Sequence, residues 1–213
     1  MANIKYSDLL KEVLPHLTAD PSDPFTENAI KRAVIEFCAE SWVWKHLPDP
    51  IDVTASEISC DIEMPPGAEV SMVMDAALSG TPLEPKSIEW LNREVPRWRT
   101  EGGKPLYYTQ IDPEQIILAP MPSESITGGL ALTLALQPAQ TANSFPKWIF
   151  SKYPYAITDG ALAKLMLIPG KPWTDIANGS DRRARFDSAI ANARVSSVRG
   201  LGRAPVRVSI SQH

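Results

Sequence analysis

The sequence predicts an α+β fold: a helical domain built from both chain ends, an inserted antiparallel, sandwich-like β-rich domain, and an extended C-terminal tail. Three observations carry this reading. Apolar residues recur at helical spacing before Pro48 and again after Pro146, they alternate with period two over the roughly ninety residues between, and the last residues form no core of their own. Two short helices make a poor core, so neither end buries its stripe alone and the two ends must pack together. The predicted boundaries are 1–48 with 142–200 for the helical domain, 49–141 for the β-rich insert and 201–213 for the tail.

Taken in order, Leu9, Leu10, Val13, Leu14 and Leu17 form an apolar stripe on a short helix, with Ser7 as N-cap and Pro15 kinking or ending it. The main helix is predicted over residues 26–45, TENAIKRAVIEFCAESWVWK, where Ile30, Ala33, Val34, Phe37, Ser41 and Trp44 share a face. Thr26 is its expected N-cap, with Pro24 blocking earlier helix, Lys45 and His46 near the negative end of the dipole, and Pro48 as the limit. Trp42 and Trp44 are two residues apart and cannot share a helical face, so one of them must reach a second partner.

Beyond Pro48, Ile51 and Val53, then Ile58, Cys60, Ile62 and Met64, alternate as half-buried strands. After the turn Pro65-Pro66-Gly67, Val70, Met72 and Met74 share a face opposite Val73, and Ser79-Gly80-Thr81-Pro82 marks a hairpin returning through Leu83 and Pro85. Ile88, Leu91, Val95 and Trp98 return to helical spacing, so a short helix interrupts the sheet. Strands resume at 106–108, 115–119 and 129–137, the last expected to be central and buried on both sides, with four leucines facing Ala131, Thr133 and Ala135.

From Pro146 a turn and then a strongly apolar helix are predicted, with Ile157, Ala161, Leu162, Leu165 and Met166 on its face, Pro154 near its start and Pro169-Gly170 after its end. Gly160 permits close approach of a neighbour. Thr174 is expected to cap a last helix with Phe186, Ala189, Ile190 and Ala193 inward, Arg182, Arg183 and Arg185 on the exposed arc, and Gly200 and Gly202 as its stop.

Hydrophobic residues are 44% and charged residues 22% of the 213, which excludes extensive disorder. No apolar run approaches the roughly 18 residues of a spanning helix, and the early charges of MANIKYSDLLKEVL do not fit a secretory signal, so synthesis in the cytoplasm and no membrane contact are expected. Cys38 and Cys60 lack C-x-x-C spacing, which argues against a disulfide framework. The net charge of −4 hides an asymmetry: residues 181–213 hold seven Arg, no Lys and only Asp181 and Asp187 as acids, making that segment +5 and the remainder −9. Arg without Lys points to planar, multidentate contacts.

The order DLLKEVLPHL, ENAIKRAVIEFCAESWVW, GALAKLMLIPGKPW and RFDSAIANAR resembles the head-to-tail adaptor (connector) proteins of tailed bacteriophages, which join the portal to the tail. The resemblance spans nearly the whole chain. It implies a structural virion protein and a homo-oligomeric ring of about twelve subunits. In such a ring the helical domain and C-terminal extension engage the portal protein, the β domain faces the downstream tail protein, and genome DNA passes through the channel without sequence-specific binding.

The residues themselves offer little chemistry. His16, His46 and His213 have no metal-ligand spacing, Cys38 with His46 lacks an oxyanion element, and Gly102-Gly103-Lys104 lacks the rest of a phosphate loop. The acids of ADPSDP and PDPID read as turn chemistry, without the loop glycine and terminal Glu of an EF-hand. No cofactor, metal or catalytic residue is therefore expected. Six tryptophans are many, and Trp is enriched at interface hot spots. Trp173, in a loop, is the first partner-binding candidate. The tail adds Arg199, Arg203, Val206, Arg207, Val208 and Ile210, whose alternation reads as a strand awaiting the portal or a neighbouring subunit. The competing reading is a nucleic-acid-binding module using the Arg-rich C-terminal segment, whose binding would fall steeply with salt. Against it stand an acidic whole and no aromatic interleaving in the basic stretch.

Overall fold

In the computed structural model, which describes residues 2–199, the chain is mixed α and β with several sheets. Its α-helices, among the described residues, are α1 (Leu10–Val13), α2 (Asp23–Ser41), α3 (Ile88–Glu94), α4 (Lys147–Lys152), α5 (Pro154–Met166) and α6 (Ile176–Arg199). Two compact units emerge: one holds the described residues up to Trp44 and from Gln137 onward, the other Lys45–Leu136.

The first unit is a bundle of α2, α5 and α6. Ile30, Ala33, Val34, Phe37 and Cys38 of α2, Ala161, Leu162 and Leu165 of α5, and Phe186 of α6 are wholly buried. The Phe37 ring lies 4.9 Å from that of Tyr153 and 6.2 Å from that of Phe186. Each of the Val, Leu, Ile and Phe side chains among them stabilises the fold by about 1.5–3 kcal/mol relative to exposure. Gly160 is required where α5 meets α6, since a Cβ there would lie 2.7 Å from the Phe186 ring.

Helix ends depart from the sequence expectations for identifiable reasons. Helix α2 starts at Asp23, with Ser22 in extended conformation before it and Pro24 inside its first turn. Proline is tolerated there because its missing N–H has no intrahelical partner anyway. Thr26, rather than capping, donates its hydroxyl to the Ser22 carbonyl. The helix stops at Ser41 because Trp42 turns left-handed (φ 55°), and Lys45–His46 pair as a strand with Leu134 and Ala135. At the N-terminus, Asn3–Lys5 pairs antiparallel with Ser144–Pro146, and a 3-10 turn, the single turn α1 and a second 3-10 turn replace the predicted helix. Ser7 lies inside the first turn and caps nothing. Asp175, not Thr174, caps α6: its carboxylate accepts from the Asn178 N–H at 3.1 Å, holding it below the usual carboxylate range. Thr174 instead braces the preceding loop, donating to the Ile168 carbonyl and accepting from the Lys171 N–H. The predicted stop at Gly200 and Gly202 lies outside the described residues.

In the second unit, Ile126–Pro138 is the central strand of a five-stranded sheet, flanked by Lys45–His46 and Ile51–Val53 on one edge and Ala68–Leu78 on the other. Its leucine face (Leu130, Leu132, Leu134 and Leu136) is buried, but Ala131 is exposed and Thr133 half-exposed, so only one face is covered throughout. A second sheet runs Ser59–Asp61, Gln115–Ala119, Tyr107–Thr109, Glu84–Pro85. The strand predicted from Ile58 to Met64 is thus cut to three residues. The hairpin turn is Ser79-Gly80, both at positive φ (49° and 77°), the combination whose twist suits a two-residue loop. Helix α3 is capped by the Ser87 hydroxyl, which accepts from the Trp90 N–H, and buries Leu91 against Trp98 and Ala119.

Candidate partner-binding surface

The end of α6 carries the first surface. Val195 and Val198, three residues apart and therefore on one face, are each about half exposed. Beside them the Arg194 guanidinium stacks 3.7 Å from the Trp42 ring centre, and the Ser197 hydroxyl donates to the Trp42 carbonyl at 2.6 Å. The second partner expected for one of the two tryptophans is thus found at Trp42, while Trp44 is buried. Arg199, the last described residue, is exposed. The other tail candidates, Arg203, Val206, Arg207, Val208 and Ile210, lie outside the described residues.

Trp173 is half-buried and stacks, tilted, 5.9 Å from Phe25 at the start of α2. Its loop is also tied by the Thr18 hydroxyl, which donates to the Pro172 carbonyl at 3.0 Å. The indole N–H is buried without a hydrogen-bond partner. Much of this ring therefore serves the bundle itself, with one edge remaining for anything outside.

The arginine arc of α6 differs from its expected exposure. Arg182 pairs with Asp159 of α5, and Arg183 bridges Glu36 of α2 at 2.6 Å and Asp187 at 2.8 Å. Lys164 of α5 completes the network on Glu36. Burial alone would raise the Glu36 carboxyl, but the hydrogen bonds and charges of Lys164 and Arg183 outweigh it and hold it below the usual range. Two of the three arginines thus knit the bundle through bidentate-capable contacts, and Arg185, paired with Asp181 on the same helix, stays in solvent.

A further surface, not anticipated from the sequence, lies along the Ala68–Leu78 strand. Its outer edge pairs with Thr81–Pro82 and receives the Leu83 N–H at the Ala76 carbonyl (2.8 Å), leaving the strand much longer than its partner. The burial alternation along this strand slips between Val70 and Ala76, and the Val73 carbonyl accepts from the Tyr108 hydroxyl at 3.4 Å. Among the described residues, Thr81–Pro82 is the strand paired on this side. A groove of about 440 Å³ follows this edge, walled by Met72, Val73 and Met74 on one side and by Pro85, Lys86 and Tyr108 on the other. The missed signal was a short return: Pro85, two residues beyond the Leu83 N–H that bonds Ala76, has no donor with which to continue the pairing.

The thiols are structural. Cys38 is wholly buried and burial pushes its thiol far up, while burial with nearby Asp61 and Glu57 pushes Cys60 up to about 11. A reactive thiol needs the opposite shift. Among the described residues, no group of three acids, histidines or cysteines is placed to hold a metal.

In the helical unit, the polar network of Glu36, Asp159, Lys164, Arg182 and Arg183 holds helices to one another. The model of the SU10 adaptor protein family matches residues 4–209, and the chain belongs to that family of phage head-to-tail adaptors. The family is structural rather than enzymatic, and membership implies a virion component with portal and tail partners. No curated protein matches the chain significantly. None of the described helices is long and apolar enough to cross a membrane.

Proposed function

We propose that the protein forms a ring between portal and tail, of about twelve copies, through whose channel the genome passes. The observation that carries this is the adaptor family match over nearly the whole chain, from residue 4 to residue 209. The helical unit and the segment after Arg199 engage the portal or a neighbouring subunit, with Arg199, Arg203, Val206, Arg207, Val208 and Ile210 as contacts and the free edge of Trp173 at the rim. The β unit offers a docking surface to the next tail component. Low-dose imaging of the purified protein with its portal is the test. Rings docked beneath the portal support the proposal, whereas a stable dimer indifferent to portal overturns it. Persistent monomers that bind DNA in a salt-sensitive way would favour the nucleic-acid reading, which the engagement of Arg182 and Arg183 by Asp159 and Glu36 already weakens.

A further inference from the structure

We propose that, in the ring, the loop of residues 110–114 in the β unit of one copy docks into a hollow on the helical unit of the next copy, with Ile111 as its anchor and Asp112 and Glu114 against Lys147 and Lys152. The proposal rests on the ring reading, in which every copy offers one such loop and one such hollow. A contact between two different surfaces of the same chain is heterologous, the kind that closes into rings.

The hollow has a volume of about 610 Å³ and is lined by Ala2, Lys147, Trp148, Ser151 and Lys152. All but Ala2 belong to α4, where Lys147 lies one turn before Ser151 and Trp148 one turn before Lys152. The Lys147 N–H donates to the Ala2 carbonyl at 3.0 Å, which fixes the remaining wall. The lining carries two lysines and no acid, and among the described residues neither lysine forms an ion pair. An indole and two lysine stems, each stem ending in an unpaired ammonium group, suit an aliphatic side chain with carboxylates beside it. A nucleic-acid backbone suits the place less, because the adjoining hollow, which shares Lys147, is also lined by Asp8, and a phosphate there meets a like charge.

The loop has the matching chemistry. Among the described residues of 45–136, the exposed large apolar side chains are Leu47, Leu106 and Ile111. Leu106 stands two residues after Lys104, whose charge has the same sign as the hollow, and Leu47 follows Lys45 and His46. Ile111, 64% exposed, is followed instead by exposed Asp112 and Glu114, neither of them ion-paired among the described residues. The loop is also held in shape by its own bonds. The Glu114 N–H donates to the Asp112 carboxylate at 2.8 Å, the Gln110 amide to the Pro113 carbonyl at 3.3 Å, and the Ile62 N–H to the Glu114 carbonyl at 2.8 Å. A tip already fixed in one conformation loses little entropy on docking. One Asp112 oxygen serves the turn, which leaves the other for a lysine.

The test mixes full-length Ile111→Cys with full-length Ser151→Cys, assembles them with portal, and oxidises. Both positions are exposed and the native thiols are buried, so a dimer that needs both variants forms between copies, through loop and hollow. That dimer is expected from the mixture at about ten times the yield of either variant alone, because only the mixture pairs a loop cysteine with a hollow cysteine. In the same assay, adding Lys147→Glu and Lys152→Glu to the Ser151→Cys chain should lower the yield about tenfold, since two attractions become repulsions. Adding Glu114→Lys to the Ile111→Cys chain should then raise it again about threefold, because opposite charges face each other once more. All of these side chains are exposed, so the melting temperatures should stay unchanged. Rings without the mixed dimer, a Ser151→Cys chain that links to the portal instead, or a charge reversal that Glu114→Lys does not repair would overturn the docking while leaving the ring intact. Salt-sensitive retention of labelled duplex DNA, abolished by Lys147→Glu with Lys152→Glu, would overturn it as well. Mixed dimers without rings, seen by sedimentation, would retain the docking and remove the ring. Neither rings nor mixed dimers would remove both.

Discussion

Arg194 lies over the Trp42 ring at 3.7 Å, and this contact holds the left-handed end of α2 against the last turns of α6. A bulky residue at φ 55° costs roughly 1–2 kcal/mol of backbone strain, so the stack and the Ser197 hydrogen bond must offset it. Trp42→Ala keeps the strain and loses the ring, and should destabilise by about 1–3 kcal/mol. Trp42→Gly loses the same ring but relieves the strain, so its loss should be about 1 kcal/mol smaller. Denaturant melts of the two variants check the order; an alanine variant more stable than the glycine one would contradict it.

The contact between Gly160 and Phe186 sets how closely α5 and α6 approach. Gly160→Ala drives a methyl into the ring and should cost about 1–3 kcal/mol despite the better helix propensity of alanine. Adding Phe186→Leu should recover part of the loss, a coupling that a double-mutant cycle measures.

Phe37 and Leu162 belong to the same bundle core although they are distant in sequence. Truncating either to alanine should cost about 2–5 kcal/mol in equilibrium unfolding. Both losses should appear in one transition if the two chain ends fold together.

Glu36 predicts acid sensitivity. Its carboxyl is held below the unfolded value of about 4.3, so the unfolded chain takes up its proton first as pH falls. The stabilisation is complete above that value and is lost as pH drops through the folded one. Glu36→Gln should be less stable than the native chain at pH 7 by about 1–3 kcal/mol, and the difference should shrink as pH falls below about 4.3, read from melts over a falling pH series. A constant difference across that range would rule out the linkage.

Deleting residues 204–213 should leave the melting temperature unchanged and weaken assembly with portal. Replacing Arg203 and Arg207 by alanine should weaken assembly partially and flatten its dependence on salt. Co-sedimentation over a salt series reads both effects.

The sequence made helix identities legible more readily than their ends. The stripe from Ile30 to Phe37 required a buried helix, but where it stopped depended on Trp42 finding Arg194 and Ser197, more than 150 residues away. Arg182 and Arg183 read as exposed because their own helix offers few acids, and the carboxylates that claim them, Asp159 and Glu36, sit on α5 and α2. The groove between Val73 and Tyr108 was hidden for a related reason: alternation shows that a strand exists, not which segment lies across from its edge. Trp173 was identifiable as unusual from its loop, whereas its stacking on Phe25 depends on a meeting of distant segments.

The pairing of Asn3–Lys5 with Ser144–Pro146, and of α2 with α5 and α6, has a consequence for synthesis. The ribosome releases the segment through Trp44 long before the helices that cover it, so α2 emerges with Phe37 and Ile30 in water while the continuous stretch from Lys45 to Leu136 can fold as it appears. The bundle closes only once α6 has been made. A product cut short before α5 therefore leaves the apolar face of α2, with Ile30 and Phe37, in reach of chaperones and proteases.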